Sequence, residues 1–306
     1  MTDFVVPWRP EGRLLLVEGK GELFVRQHVH PDPTAPTVLL LHGWTASSDL
    51  QFFAAYEALA ERCSFIGIDH RGHGRGLRSP DPFTLEDAAD DAAAAVRSLV
   101  SGPVIVVGYS MGGPIALHLA RRHADLVAGI VVQATALEWR GTRRERALWR
   151  VLPLIGSWLR TKGYRRWLNR SVPRVLGAAG DTHPVAPFVP WMVSEMARND
   201  PLAMVDAGRA LSQYDARPWA PALGVPAASL ITTRDHIVRP SKQRALAEAL
   251  GAEHRELAAD HLAAVSHPAQ FAALTVELVE LVASRIAATG QFVSVAGTSV
   301  TSPVVA

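Results

Sequence analysis

The chain has 306 residues and a formal net charge of +2, with 48% hydrophobic and 20% charged side chains, the balance of a soluble globular protein large enough to bury an extensive core. Its single cysteine, Cys63, excludes an internal disulfide and a cysteine-based metal cluster and fits a reducing compartment; a buried, inert thiol is its plainest reading. No apolar run is long enough to cross a bilayer, and residues 1–13 lack the basic, apolar and small-residue order of a secretion signal, so the expected address is the cytoplasm.

In chain order, Leu14 to Glu18 and Glu22 to His30 flank Gly19-Lys20-Gly21, which predicts two strands joined by a tight glycine turn. After the proline-rich stretch Pro31 to Pro36, the continuous apolar run Thr37 to Leu41 predicts a strand buried on both faces. Ser48 is placed to cap a helix reaching about Arg62, and Ser64 to Ile68 reads as the next strand. Thr84 and Asp87 resemble a capping box, with Asp in place of Glu, opening an alanine-rich helix to Val100. Val104 to Val107 is a buried strand, followed by a helix from about Met111 to His123 and a strand at Leu126 to Val132. Strands alternating with helices in this way imply a mostly parallel sheet covered on both faces.

The alternation stops near Gln133 and resumes at Ala227 to Thr232, leaving about ninety residues of largely helical character. Leu148, Leu152, Ile155 and Leu159 recur at helical spacing, with Pro153 dividing or kinking that helix. Such an insertion between sheet strands is expected to form a helical lid. From Glu138 to Arg174 there are eleven basic residues against two acidic ones, together with Trp139, Trp149, Trp158 and Trp167. Arginine interleaved with tryptophan suits peripheral contact with an anionic membrane; the plainer reading is a lid whose tryptophans pack inward and whose arginines are solvated. No nucleic-acid module accompanies the charge, and none is expected as a partner. A helix from about Ser241 to Leu250, a strand at Glu253 to Leu257 and a helix from Pro268 to Thr289 complete the pattern, and the uncharged tail after Gly290 is expected to be poorly ordered.

The chemistry is concentrated at Gly108-Tyr109-Ser110-Met111-Gly112, which directly follows a buried strand and opens a helix. A nucleophile on such a turn adopts a strained backbone, so the residues two before and two after it must be small, and both are glycine. The helix beginning beside Ser110 directs free amides and a positive dipole end toward a developing oxyanion.

With this elbow the chain resembles the α/β-hydrolase family over nearly its whole length, and three further motifs match in order. His42-Gly43-Trp44 follows the strand Thr37 to Leu41 as the family's His-Gly-x turn does; the resemblance implies that the Trp44 amide is one oxyanion donor and the Met111 amide the other. His42 itself reads as a brace for the turn. Asp69-His70-Arg71-Gly72-His73-Gly74 looks like the family's Asp-x-Arg-Gly-x-Gly loop, with Gly76 where many members have serine. Asp69, His70 and His73 can also be entertained as metal ligands, but without a fourth ligand the scaffold reading is the plainer one.

The resemblance then implies Asp235, just after the strand Ala227 to Thr232, as the acid; no carboxylate directly follows Leu126 to Val132, and Glu138 is the nearest there. It implies His261 as the base, seven residues before Pro268, with His267 read as a residue at the start of the last helix. Asp260 stands where the family more often has glycine, which leaves it open as a second carboxylate partner. A histidine titrates close enough to neutral pH to take and return the serine proton.

The expected architecture is an α/β-hydrolase with a mostly parallel eight-stranded sheet, core at residues 1–135 and 223–289, a helical cap at 136–222 and a tail at 290–306. The expected activity is cofactor-independent hydrolysis of an ester or thioester of a hydrophobic acyl group, or of a lipid, by Ser110, His261 and Asp235. Tyr109, Trp191 and Met192 are expected to contact substrate, and Phe188 and Met196 are further candidates for an acyl pocket. A perhydrolase or haloperoxidase-like reaction, C–C bond hydrolysis on the same residues, and a non-catalytic ligand-binding role on this fold stay open. Ser110 argues against relatives that use an aspartate nucleophile.

Overall fold

The computed structural model describes residues 8–140, 170 and 189–288. Eight strands form one sheet: β1 (Gly12–Val17), β2 (Gly21–His28), β3 (Thr37–Leu41), β4 (Ser64–Ile68), β5 (Val104–Tyr109), β6 (Val127–Gln133), β7 (Ala227–Thr232) and β8 (Glu253–Leu257). Their spatial order is β1-β2-β4-β3-β5-β6-β7-β8. The hairpin β1–β2 and the β2–β4 pair are antiparallel, and every pairing from β4 to β8 is parallel.

The continuous apolar strands are explained by two cores, one on each face of the sheet. Leu39, Leu41, Val104, Val106, Ile130 and Val132 point into the first core, against α3 (Leu85–Leu99) and α4 (Gly112–Arg122). Val38, Leu40, Ile105, Val107, Val131 and Leu230 point into the second, with Phe52, Tyr56 and Leu59 and with Phe271, Leu278 and Val282 of the last helix. Period-two alternation therefore distributes β3, β4, β5 and β6 between both cores.

The helix expected over Ser48 to Arg62 is instead two short ones, α1 (Ser48–Phe52) and α2 (Tyr56–Ala60). The break lets consecutive aromatic side chains part company: Phe52 enters the core beneath the sheet while Phe53 packs with Leu50, Met192 and Val265. The cap is Ser47, whose hydroxyl accepts the Leu50 amide at 3.2 Å; the Ser48 hydroxyl instead meets the Tyr56 hydroxyl at 2.9 Å. Thr84 caps α3 as expected, accepting the Asp87 amide at 3.0 Å, but the Asp87 carboxylate returns to the Thr84 hydroxyl at 2.7 Å.

After β6 the chain leaves the sheet and rejoins it at β7. The described part of this excursion includes α5 (Val189–Met196) and α6 (Pro201–Gln213). Asp200 caps α6, with Pro201 in its first turn, and Ala207 and Leu211 fasten it to the first core. The expected helix around Leu148 to Leu159, Trp149, Trp158, Trp167, Phe188 and the tail after Gly290 lie outside the described residues, as does most of the basic segment. Trp139 is buried in the first core. Then follow α7 (Pro240–Ala249), α8 (Ala263–Ser266) and α9 (Pro268–Ala288). Among the described residues no helix is long and apolar enough to cross a membrane. Cys63 is buried, donates to the Leu59 carbonyl at 3.2 Å, and burial pushes its thiol up to about 12.

Candidate active site

Every expected site motif leaves the carboxyl end of a parallel strand, where the connections diverge from the sheet and a site can open. At the end of β5 Ser110 turns with φ of +52°, and its amide donates to the Gln133 carbonyl at 2.9 Å. A β-carbon on Gly108 would lie 2.3 Å from the Gly112 carbonyl oxygen, and one on Gly112 would lie 2.0 Å from that of Leu41. Both glycines are therefore demanded by backbone packing as α4 starts beside the serine.

Leu41 is in register with Gly108, so the turn after β3 arrives alongside the elbow. A β-carbon on Gly43 would come 3.2 Å from Ser110 Cβ, so the turn after β3 passes close to the serine. The Trp44 indole donates to the Met204 carbonyl at 2.9 Å. Met111, directly after Ser110, is buried and leads into α4.

Ser110, His261 and Asp235 are brought together from three separate loops. His261 Nε2 is 2.9 Å from Ser110 Oγ, and His261 Nδ1 is 2.7 Å from Asp235 Oδ2. Asp235 is 2% exposed. Its Oδ1 accepts the amides of Ile237 and Val238 at 2.8 and 2.9 Å, and its Oδ2 also accepts from Thr232 Oγ1 at 2.9 Å and Gln243 Nε2 at 3.2 Å. Burial alone raises this carboxyl, but the hydrogen bond and charge of His261, the Val238 amide and the Thr232 hydroxyl outweigh it and hold the pKa below its ordinary value. A hydroxyl, an imidazole and a fixed carboxylate in this order can pass a proton from the serine to the ring while the carboxylate fixes the tautomer.

The competing carboxylates have other partners. Asp260 is exposed and accepts the Leu262 amide at 2.9 Å, shaping the turn after His261. Glu138 pairs with Lys242 at 2.9 Å. His267 closes α8 and opens α9, where its carbonyl accepts the Phe271 amide at 2.9 Å.

His42 braces two loops: its Nδ1 donates to the Gly43 carbonyl at 2.8 Å, and its Nε2 accepts the His70 amide at 3.0 Å. Burial, reinforced by neighbouring His70 and His73, holds it well below the ordinary imidazole range. Burial likewise pushes His70 down to about 3 and His73 to about 4. His73 Nδ1 donates to the Arg71 carbonyl at 3.0 Å, and Asp69 accepts the amides of Ser48 and Arg75, each at 2.8 Å. These are scaffold contacts. A β-carbon on Gly76 would lie 2.2 Å from the His70 carbonyl oxygen, so the serine found elsewhere at this point does not fit this loop.

Tyr109, expected to touch substrate, is buried in the core with Phe271; its ring lies 5.7 Å from that of His261, and its hydroxyl donates to the His261 carbonyl at 2.9 Å. It shares strand parity and a core with Ile105 and Val107. Trp191 meets Phe53 edge-on with ring centroids 5.4 Å apart, and Met192 packs with Leu50, Phe53 and Val265, between the turn after β3 and the loop after His261. Thr232 and Gln243 escaped the sequence reading. Gln243 lies on the buried stripe of α7 with Leu246 and Ala247, and an amide at such a position is the signal that marks it.

The comparisons with known proteins agree with this fold. Residues 36–268 match the model of the alpha/beta hydrolase fold. The chain is 33% identical over 104 residues to a 2-(acetamidomethylene)succinate hydrolase of Mesorhizobium japonicum, covering 34% of this chain and 37% of that protein. It is 30% identical over 156 residues to the lipase LipV of Mycobacterium tuberculosis, covering 50% of this chain and 55% of the relative. These matches thus span roughly a third to a half of the curated relatives' length. Among solved structures, the enol-lactonase of Burkholderia xenovorans LB400 superimposes with a TM-score of 0.75 at 24% identity, over 88% of this chain and all of that one. The chain belongs to the alpha/beta hydrolase fold family.

Proposed function

We propose that the chain is a serine hydrolase that cleaves a carboxylic ester or thioester of a hydrophobic acyl group through an acyl-enzyme. The observation that carries this reading is the position of His261, within hydrogen-bond distance of Ser110 Oγ on one side and Asp235 Oδ2 on the other. Ser110 Oγ attacks the acyl carbonyl as His261 takes its proton, and the amides of Trp44 and Met111 receive the oxyanion. The imidazolium returns the proton to the leaving alcohol or thiol. Water, deprotonated by the same ring, then attacks the acyl-enzyme and releases the acid.

A hydrophobic acyl chain is favoured by the apolar cluster of Leu50, Phe53, Met192 and Val265, with Trp191 and Met196 beside it. Ile237 and Leu262, next to the acid and base loops, are 62% and 41% exposed. One relative is named a lipase, which fits the same chemistry. In this reading α5 and α6 cap the site.

The test is a p-nitrophenyl ester series of increasing chain length, assayed with the parent and with Ser110→Ala. We expect Ser110→Ala to abolish turnover and medium chains to outrun acetate. Undiminished turnover by Ser110→Ala contradicts the reaction, and a preference for acetate contradicts the acyl class.

A further inference from the structure

The turn that carries Trp44 is held from outside the sheet. Thr45 adopts a left-handed conformation with φ of +63°, unfavourable for a β-branched residue and kept only where surrounding structure enforces it. Its carbonyl accepts Asn199 Nδ2 at 2.7 Å, and Asn199 Oδ1 accepts the Gly74 amide, also at 2.7 Å. One side-chain amide therefore ties the turn after β3 to the loop after β4. Asn199 is neither in the sheet nor on a neighbouring loop in sequence; it lies between α5 and α6, where the chain returns from its excursion.

Two further contacts come from the same stretch. Glu195, 2% exposed, accepts the Ser47 hydroxyl at 3.0 Å and holds Arg75 through both carboxylate oxygens at 2.8 and 2.7 Å. The Met204 carbonyl accepts the Trp44 indole. The strained turn is thus gripped at Trp44, Thr45 and Ser47 by residues 195–204.

The geometry points to Asn199 as a positioning residue for the oxyanion-binding turn, acting on the Trp44 amide through the Thr45 carbonyl. This rests on the serine-hydrolase reading for its catalytic consequence. Losing the grip lets Thr45 relax, and the amide before it then swings out of line with the attacked carbonyl. The ground-state ester does not need that amide, whereas the tetrahedral intermediate does.

The experiment compares the parent with Asn199→Ala, which removes both bonds, and with Trp44→Phe, which removes the indole bond to Met204. For Asn199→Ala we expect kcat to fall about 10-fold or more, with KM within about 2-fold, because small misplacements of reacting groups act on the transition state. Binding of a trifluoromethyl ketone, whose adduct with Ser110 carries an oxyanion, weakens by a similar factor. Trp44→Phe gives a smaller change in the same direction.

Hydrogen exchange of the Ala46 amide, which bonds to the Gly43 carbonyl within the turn, reads the grip without any reaction and speeds up in Asn199→Ala. Unchanged exchange overturns the grip. Faster exchange with unchanged kcat and inhibitor affinity overturns the catalytic role. Full turnover by Ser110→Ala, in contrast, removes the underlying reaction while the exchange measurement still decides whether Asn199 holds the turn.

Discussion

The Tyr109 hydroxyl donates to the backbone carbonyl of His261 at 2.9 Å, so the residue before the nucleophile anchors the loop that carries the base. Burial first, then the nearby charges of Asp235 and Asp260, hold the phenol well above its ordinary range, and it remains a donor across the working pH. Tyr109→Phe keeps the ring in the core and leaves the carbonyl without that partner. We expect a loss of about 1 kcal/mol in urea unfolding and a fall in kcat of up to about 10-fold through drift of the imidazole. A variant with parent kcat contradicts the anchoring role.

Asp235→Asn preserves shape and removes charge. The new amide presents either a donor to His261 Nδ1 or an oxygen without charge, so the ring loses its enforced tautomer. The expected drop in kcat is about 10⁴-fold, the size of loss seen when such an acid is neutralised. Steady-state ester kinetics check it, and a loss under about 10-fold contradicts the role given to Asp235.

Gln243 fastens both ends of the acid loop: its Oε1 accepts the Thr232 amide at 2.9 Å, and its Nε2 donates to the Val238 carbonyl at 2.7 Å. Gln243→Glu keeps the acceptor but sets a carboxylate against the Val238 carbonyl and Asp235. Urea unfolding is expected to show a cost of about 2 kcal/mol at pH 7.5. The cost shrinks toward pH 5, because a protonated Glu regains a donor. A cost independent of pH contradicts this arrangement.

Asp69 provides a pH signature away from the reacting groups. Burial pushes its carboxyl up to about 6, and Asp49 adds to the rise, against the amides of Arg75 and Ser48 and the Arg75 guanidinium. The folded pKa lies above the ordinary 3.8, so the folded state binds the proton more tightly than the unfolded one. Its stabilisation is full below pH ~3.8 and is lost as pH rises through about 6, on the order of 2–3 kcal/mol. The stability of the parent relative to Asp69→Asn should therefore fall between pH 4 and 7. A constant or rising difference contradicts the shift.

Much of the sheet was legible because its strands obey simple rules. Val38 to Leu41 and Val104 to Val107 are uniformly apolar since both faces are buried, and the glycines around Ser110 are there because neighbouring backbones leave no room for a β-carbon. The motifs around Ser110, Asp235 and His261 single out three side chains that the fold brings within hydrogen-bond distance of one another in sequence. The burial of Tyr109 follows from its parity with Ile105 and Val107 on β5. The split between α1 and α2 hid behind good helix-forming residues; it reflects two clusters competing for Phe52 and Phe53, which is a tertiary effect. Asn199 acts through hydrogen bonds to distant backbone that no local pattern encodes, whereas the only local mark of Gln243 is an amide on the buried stripe of its helix.

Labelling by a fluorophosphonate probe, followed by peptide mapping, tests the central claim most directly. The account predicts stoichiometric modification of Ser110 in the parent, slowed greatly by His261→Ala and absent in Ser110→Ala. An unlabelled parent, or equal labelling of Ser110→Ala, contradicts it.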